Sequence, residues 1–193
     1  MGERERKEKM KVSEHIWDDI ESTMISREQL REAVRRIGSE ITRDYKGKEP
    51  VCVCILKGAS LFFTDLIREI DLPLSIDFMA ISSYGASTQT SGVVRILKDL
   101  DHNIEGKDVI IVEDIVDSGL TLSYIKQALE HRGASSIRIV TLLDKPERRK
   151  VDLTVDYKGF VIPNAFVVGY GLDFAEKYRN LPEIGVLKPH VYE

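Results

Sequence analysis

Cysteine is scarce in this chain, no membrane-length hydrophobic run is present, and neither sign of charge prevails. Only Cys52 and Cys54 occur, within "VCVCIL". Alternate residues of a strand point the same way, so proximity alone forbids neither pairing nor metal. A zinc site needs about four ligands, however, and His15, His102, His131 and His190 show no spacing that would complete one. The pair therefore reads as core thiols in a reducing compartment. No apolar run approaches the roughly 18 residues of a membrane helix, and the first residues are charged where a signal peptide would be apolar. Both point to a cytoplasmic address. A net charge of -4 gives no electrostatic reason to expect a nucleic acid or an anionic membrane as partner. Mechanistic motifs are missing too. There is no Walker "GxxxxGK[ST]", "GYGLD" at 169–173 carries only the first two glycines of a dinucleotide fingerprint, and "SYIK" at 123–126 falls inside a predicted helix.

What is present is an ordinary globular composition, 42% hydrophobic and 31% charged, over 193 residues. That length buries a core without disulfides or metal. No internal repeat, low-complexity segment or linker divides it, so one domain is expected over residues 13–193. The mixed-charge residues 1–12 lack an apolar face and form an N-terminal tail. Ser26 with Gln29 makes a capping box ahead of a helix that aligns Leu30, Ala33, Val34, Ile37 and Ile41. "VCVCIL", Lys57-Gly58 and "ASLFFTDLIREI" read as strand, tight loop and helix. "SIDFMAIS" and "VVRIL" are strands of a long hairpin around the polar loop "SYGASTQTSG". "KDVIIV" is a strand, residues 121–132 a helix stopped at Gly133, and "SIRIVTLL" a further strand. Near-continuous aliphatic strands alternating with helices define an α/β class with a parallel sheet covered on both faces.

Chemistry concentrates in "VIIVEDIVDSGLTLSYIKQALE", where an aliphatic strand delivers Glu113, Asp114 and Asp117 and then runs into Ser118, Gly119 and Thr121 at a helix start. Ligands of open α/β sheets bind at such carboxyl ends of strands. Gly119 lets backbone approach a ligand, while first-turn N–H groups and hydroxyls suit a phosphate. Carboxylates beside a phosphate make sense if they meet sugar hydroxyls or a magnesium ion riding on phosphates, so a phosphorylated sugar answers both demands. On spacing alone, a solvated acidic loop stands equally open.

The order apolar strand, Glu-Asp, two aliphatics, Asp, Ser-Gly-x-Thr resembles the phosphoribosyl pyrophosphate signature of type I phosphoribosyltransferases. "ILKGA" at 55–59, "SSYG" at 82–85, "LLDKPERR" at 142–149 and "FVVGYGLDFAEKYRNLP" at 166–182 are similar to the hypoxanthine-guanine branch. The resemblance implies that family's fold: a central parallel sheet flanked by helices, a small hood and a mobile active-site loop. It implies transfer of phosphoribose from 5-phosphoribosyl 1-pyrophosphate to a 6-oxopurine with magnesium, by a homodimer or homotetramer. Asp117 would be the catalytic acid/base at purine N7. Glu113 and Asp114 would hold the ribose hydroxyls, and Asp117, Ser118, Gly119, Leu120 and Thr121 the 5′-phosphate. Leu120 fills a slot where relatives carry lysine, so the backbone must supply the field there. Lys57, Gly58 and Arg179 would bind pyrophosphate, with a cis peptide before the lysine. Ser83 and Tyr84 belong to the loop that closes over the site. Lys145 would favour a 6-oxo group because an ammonium only donates. Phe166 would stack on the base, Val167 read its edge, and Asp173 serve the base pocket and join Glu113 and Asp114 in serving magnesium. Taken singly, Phe166 and Val167 also read as strand core, Lys145 as a surface lysine and Arg179 as a salt-bridged residue. Rival functions are a nucleotide-binding regulator without turnover and a xanthine-preferring relative. A regulator would bring a basic face or an added domain, and neither is evident.

Overall fold

Ser26 opens the first long helix as the spacing predicts. Its hydroxyl accepts from the Gln29 N–H, and the Gln29 side chain accepts from the Ser26 N–H, a reciprocal cap of about 1 kcal/mol. The computed structural model describes residues 15–83 and 94–192. After a 3-10 turn at Ile16–Asp19, the chain forms β1 (Ile20–Ile25), α1 (Arg27–Asp44), β2 (Val51–Leu56), α2 (Ser60–Arg68) and β3 (Ser75–Ser83). There follow β4 (Val94–Lys98), β5 (Asp108–Val116), α3 (Leu120–His131), β6 (Ser136–Asp144), β7 (Tyr157–Val161), β8 (Val167–Val168), β9 (Ile184–Leu187) and α4 (Pro189–Tyr192).

Six strands assemble in the order β4-β3-β2-β5-β6-β7. Pairings from β3 to β7 are parallel, and β4 returns antiparallel on β3 as the predicted hairpin. Strand periodicity sorts the core into two layers. Cys52, Cys54, Ile110, Val112, Val140 and Leu142 pack with Leu30, Val34, Ile37 and Ile41 of α1 and Phe62, Phe63 and Leu66 of α2. Val53, Ile55, Val109, Ile111 and Ile139 pack with Leu122, Ile125 and Leu129 of α3. The two thiols are free and buried. Burial pushes each up to about 12, which fits structural cysteines rather than reactive ones.

A second sheet, β1-β9-β8, is antiparallel and small. It supplies the hood that the resemblance implies, and pattern reading did not find its strands. β1, "IESTMI", exposes three consecutive residues, and β8 has two residues, so neither shows a period. The expected tail at 1–12 and the loop carrying Tyr84 lie outside the described residues.

Candidate active site

A cleft of about 330 Å³ opens where the carboxyl ends of β2 and β5 meet the start of α3. Lys57, Gly58, Glu113, Asp114, Asp117, Ser118, Gly119, Thr121, Asp173 and Arg179 all line it, among apolar neighbours such as Ile81 and Leu122. One expectation needs correction. Glu113 and Asp114 do not emerge after the strand but lie inside it, because β5 continues to Val116 with Glu113 opposite Thr141 and Ile115 opposite Leu143 of β6. They form no solvated loop. Burial, and for Glu113 also the neighbouring Asp114 charge, raises both carboxyls above the ordinary carboxylate range, Glu113 the further. Asp114 reaches the backbone of Lys57-Gly58 so closely that a β-carbon on Gly58 would stand 1.6 Å from its Oδ2. That approach explains glycine after the lysine better than any turn geometry does.

Beyond Val116 the chain turns through Asp117 and Ser118 into Gly119, whose φ of +78° is left-handed and favours glycine. The Leu120 N–H donates weakly to Ser118 Oγ at 3.4 Å, and the helix begins there. First-turn N–H groups thus face the cleft as an anion site. The segment after β6 braces this turn. Lys145 N–H donates to Val116 O at 2.9 Å and Lys150 N–H to Ser118 O at 2.9 Å. Arg149 donates to Asp117 O at 3.2 Å while pairing with buried Asp144, which also receives Lys158 Nζ at 3.3 Å. Arg148 Nε donates to Asp117 Oδ1 at 2.6 Å, an ion pair at the proposed acid/base group.

On the opposite wall the Leu56–Lys57 peptide is cis, as the resemblance implies. Lys57 Nζ pairs with Glu176 at 3.0 Å. Arg179 pairs with Asp173 at 2.8 Å and donates to Gly171 O at 2.7 Å. Leu120 is not among the lining residues, nor are Lys145, Phe166 and Val167. Lys145 Nζ donates to Ala165 O at 2.7 Å, just before Phe166. Burial lowers the ammonium while the Asp117 charge partly restores it. Val167 is buried on β8. Phe166 stacks on Tyr192, centroids 4.7 Å apart at 15°, so one of its faces is already covered. Ser83 ends β3. Sequence reasoning missed Arg148 and Glu176. "PERR" held the signal for the first, since an arginine three residues past Lys145 was available to meet Asp117. Nothing local marks the second.

Among the described residues no group of three or more His, Cys, Asp and Glu could hold a metal, and none of the helices is long and apolar enough to cross a membrane.

This chain belongs to the phosphoribosyl transferase family: residues 23–175 match the family's phosphoribosyl transferase domain. Its relatives specify the branch. It is 57% identical over 175 residues to the hypoxanthine-guanine phosphoribosyltransferase of Bacillus subtilis, spanning 91% of this chain and 97% of that protein. A crystal structure of a hypoxanthine phosphoribosyltransferase from Staphylococcus aureus superposes with a TM-score of 0.90 at 50% identity, over 92% of this chain and 97% of the other. The bifunctional protein TilS/HprT of Listeria monocytogenes is 52% identical over 180 residues, 93% of this chain, and the chain spans 28% of that relative's length.

Proposed function

We propose that this protein transfers the 5-phosphoribosyl group of 5-phosphoribosyl 1-pyrophosphate to N9 of hypoxanthine or guanine, yielding the mononucleotide and pyrophosphate. The observation that carries the reading is one cleft with Asp117 and a helix start on one wall and Lys57, Gly58 and Arg179 on the other. A sugar with a phosphate at C5 and a pyrophosphate at C1 matches that spacing of chemistry. The relatives' names supply the base class.

In this reading the N–H groups of Ser118 to Thr121, with the two hydroxyls, bind the 5′-phosphate. Glu113 and Asp114 accept from the ribose hydroxyls, and ligand contacts offset the cost of their burial. The C1–oxygen bond to pyrophosphate breaks as N9 donates its electron pair to C1, leaving cationic character on the ribose in between. Asp117 receives the N7 proton as the N9 bond forms. Arg148 holds that carboxylate in place from its Oδ1 side. Lys57 and Arg179 stabilise the departing pyrophosphate. Lys145 donates to the 6-oxo oxygen and would leave the 6-amino group of adenine unmatched.

The cleft carboxylates form no metal site by themselves, so a magnesium ion would arrive with the phosphates and be met by these side chains in the cleft. Glu113, Asp114 and Asp173 reach one cleft but form no closed cage, as suits an ion that takes its remaining ligands from substrate oxygens and water. Bound there, magnesium would neutralise charge on the pyrophosphoryl group. An even-numbered homo-oligomer, which rests on the resemblance, and a cytoplasmic address, which rests on the sequence's lack of a membrane-length apolar run and its charged first residues, belong to the same proposal.

Incubating the protein with magnesium, phosphoribosyl pyrophosphate and each nucleobase in turn tests the reading. IMP and GMP should form and AMP should not. Failure to form any mononucleotide overturns it.

A further inference from the structure

Glu176 sits where an ordinary sequence would place glycine. Phe174 and Lys177 exchange backbone hydrogen bonds of 3.2 and 3.0 Å around Ala175 and Glu176, and these two central residues have φ of +50° and +64°. A two-residue hairpin with both central φ positive draws Asn-Gly or Asp-Gly, because side chains clash there. Ala-Glu keeps the steric cost. The turn is held open to that geometry by Asp173, whose Oδ2 accepts from the Glu176 N–H at 2.8 Å. Strain retained against preference points from the outlier to what the side chain does. Here the carboxylate meets Lys57 Nζ at 3.0 Å and Arg179 at 3.5 Å, the two cations assigned to pyrophosphate. Lys57 lines the cleft and Glu176 does not, so the contact holds the ammonium toward the rim.

Resting on the activity proposed above, we infer that Glu176 is a positioning residue of the pyrophosphate site, a built-in anion that occupies Lys57 and Arg179 until a pyrophosphoryl group displaces it. The pair is largely exposed, 68% and 65% at the two side chains, so it gives way to a stronger ligand at small cost. It gives Lys57 a counter-charge when the site is empty, while Arg179 is already held by Asp173 at 2.8 Å. It also makes the cleft discriminate against weaker anions, since a ligand must outcompete a carboxylate already in place.

Calorimetric titration of magnesium pyrophosphate into the wild type and Glu176→Gln tests this. Exposed pairs of this kind predict binding roughly two- to five-fold tighter in the variant, a matching fall in KM for phosphoribosyl pyrophosphate, and no change in KM for the base. The gain should shrink in 1 M salt and also in a Lys57→Met background, where only the Arg179 contact at 3.5 Å is left to relieve. Glu176→Gly, which relieves the left-handed backbone while removing the charge, should show the same gain with a higher Tm, and it carries the test if the glutamine variant folds poorly. Unchanged or weaker pyrophosphate binding in both variants overturns the inference, as does a gain that is undiminished in Lys57→Met. Nucleotide formation by the wild type is read separately. Its absence overturns the proposed activity, whereas an active wild type with unresponsive Glu176 variants overturns only the present inference.

Discussion

Asp114 occupies the space that a side chain at Gly58 would need: a β-carbon added there would meet Oδ2 at 1.6 Å. Two elements distant in sequence, the end of β5 and the loop after β2, are thereby locked at backbone contact. Gly58→Ala should force one of them to move, lowering stability by about 1–3 kcal/mol as overpacking does and raising KM for phosphoribosyl pyrophosphate. Thermal melting and steady-state kinetics check both. An alanine variant with native Tm and KM would show the contact to be loose.

Asp117 is half exposed and pairs only at the surface, so Asp117→Asn should fold with little change. If the carboxylate takes the N7 proton, turnover should fall by roughly 10²–10⁴. Native turnover removes it from the mechanism.

Lys145→Ala should raise KM for hypoxanthine and guanine far more than KM for phosphoribosyl pyrophosphate. The ammonium lies beside Ala165 and Phe166, away from the phosphate wall. Equal increases for both substrates would show that the purine does not bind there.

Burial raises the carboxyls of Glu113 and Asp114, and the Asp114 charge raises Glu113 further. The folded protein therefore retains a proton that the unfolded chain has released, and stability falls as pH rises through the raised values. Glu113→Gln removes the titration. It should raise Tm relative to the wild type at pH 8 and lose that advantage toward pH 4. Parallel Tm profiles across that range would contradict the assignment.

Cys52 and Cys54, both pushed up to about 12 by burial, should resist alkylation at pH 8 until denaturant is added. Mass spectrometry of iodoacetamide-treated native protein reads this directly, and rapid labelling would mean the β2 face opens.

The inner strands β2, β5 and β6 were legible because they are largely buried and so run aliphatic, whereas the edge strand β7, with one buried residue, was not read. Helix α1 was legible through its capping box and its row of Leu30, Val34, Ile37 and Ile41. The strand end at Val112 was misjudged since charge ordinarily ends a buried strand, whereas here the ladder continues through Glu113 into the cleft. The hood escaped detection for want of period: β1 exposes Glu21, Ser22 and Thr23, β8 has two residues, and β1 and β9 find each other across the whole chain. Site residues that belong to the signature were visible by type and spacing. Arg148 and Glu176 were not, because their roles arise from contacts 31 and 119 residues away.

The hood has a mechanical corollary. Ile20 faces Leu187 at the ends of β1 and β9 nearest the two termini, with Ile25 opposite Ile184 at the far end. Tension applied between residues 16 and 192 would load these rungs singly, peeling them like a zipper instead of shearing them together. The β1–β9 seam would part first, from Ile20 and Leu187 inward, while the six-stranded sheet and its cleft still bore no load.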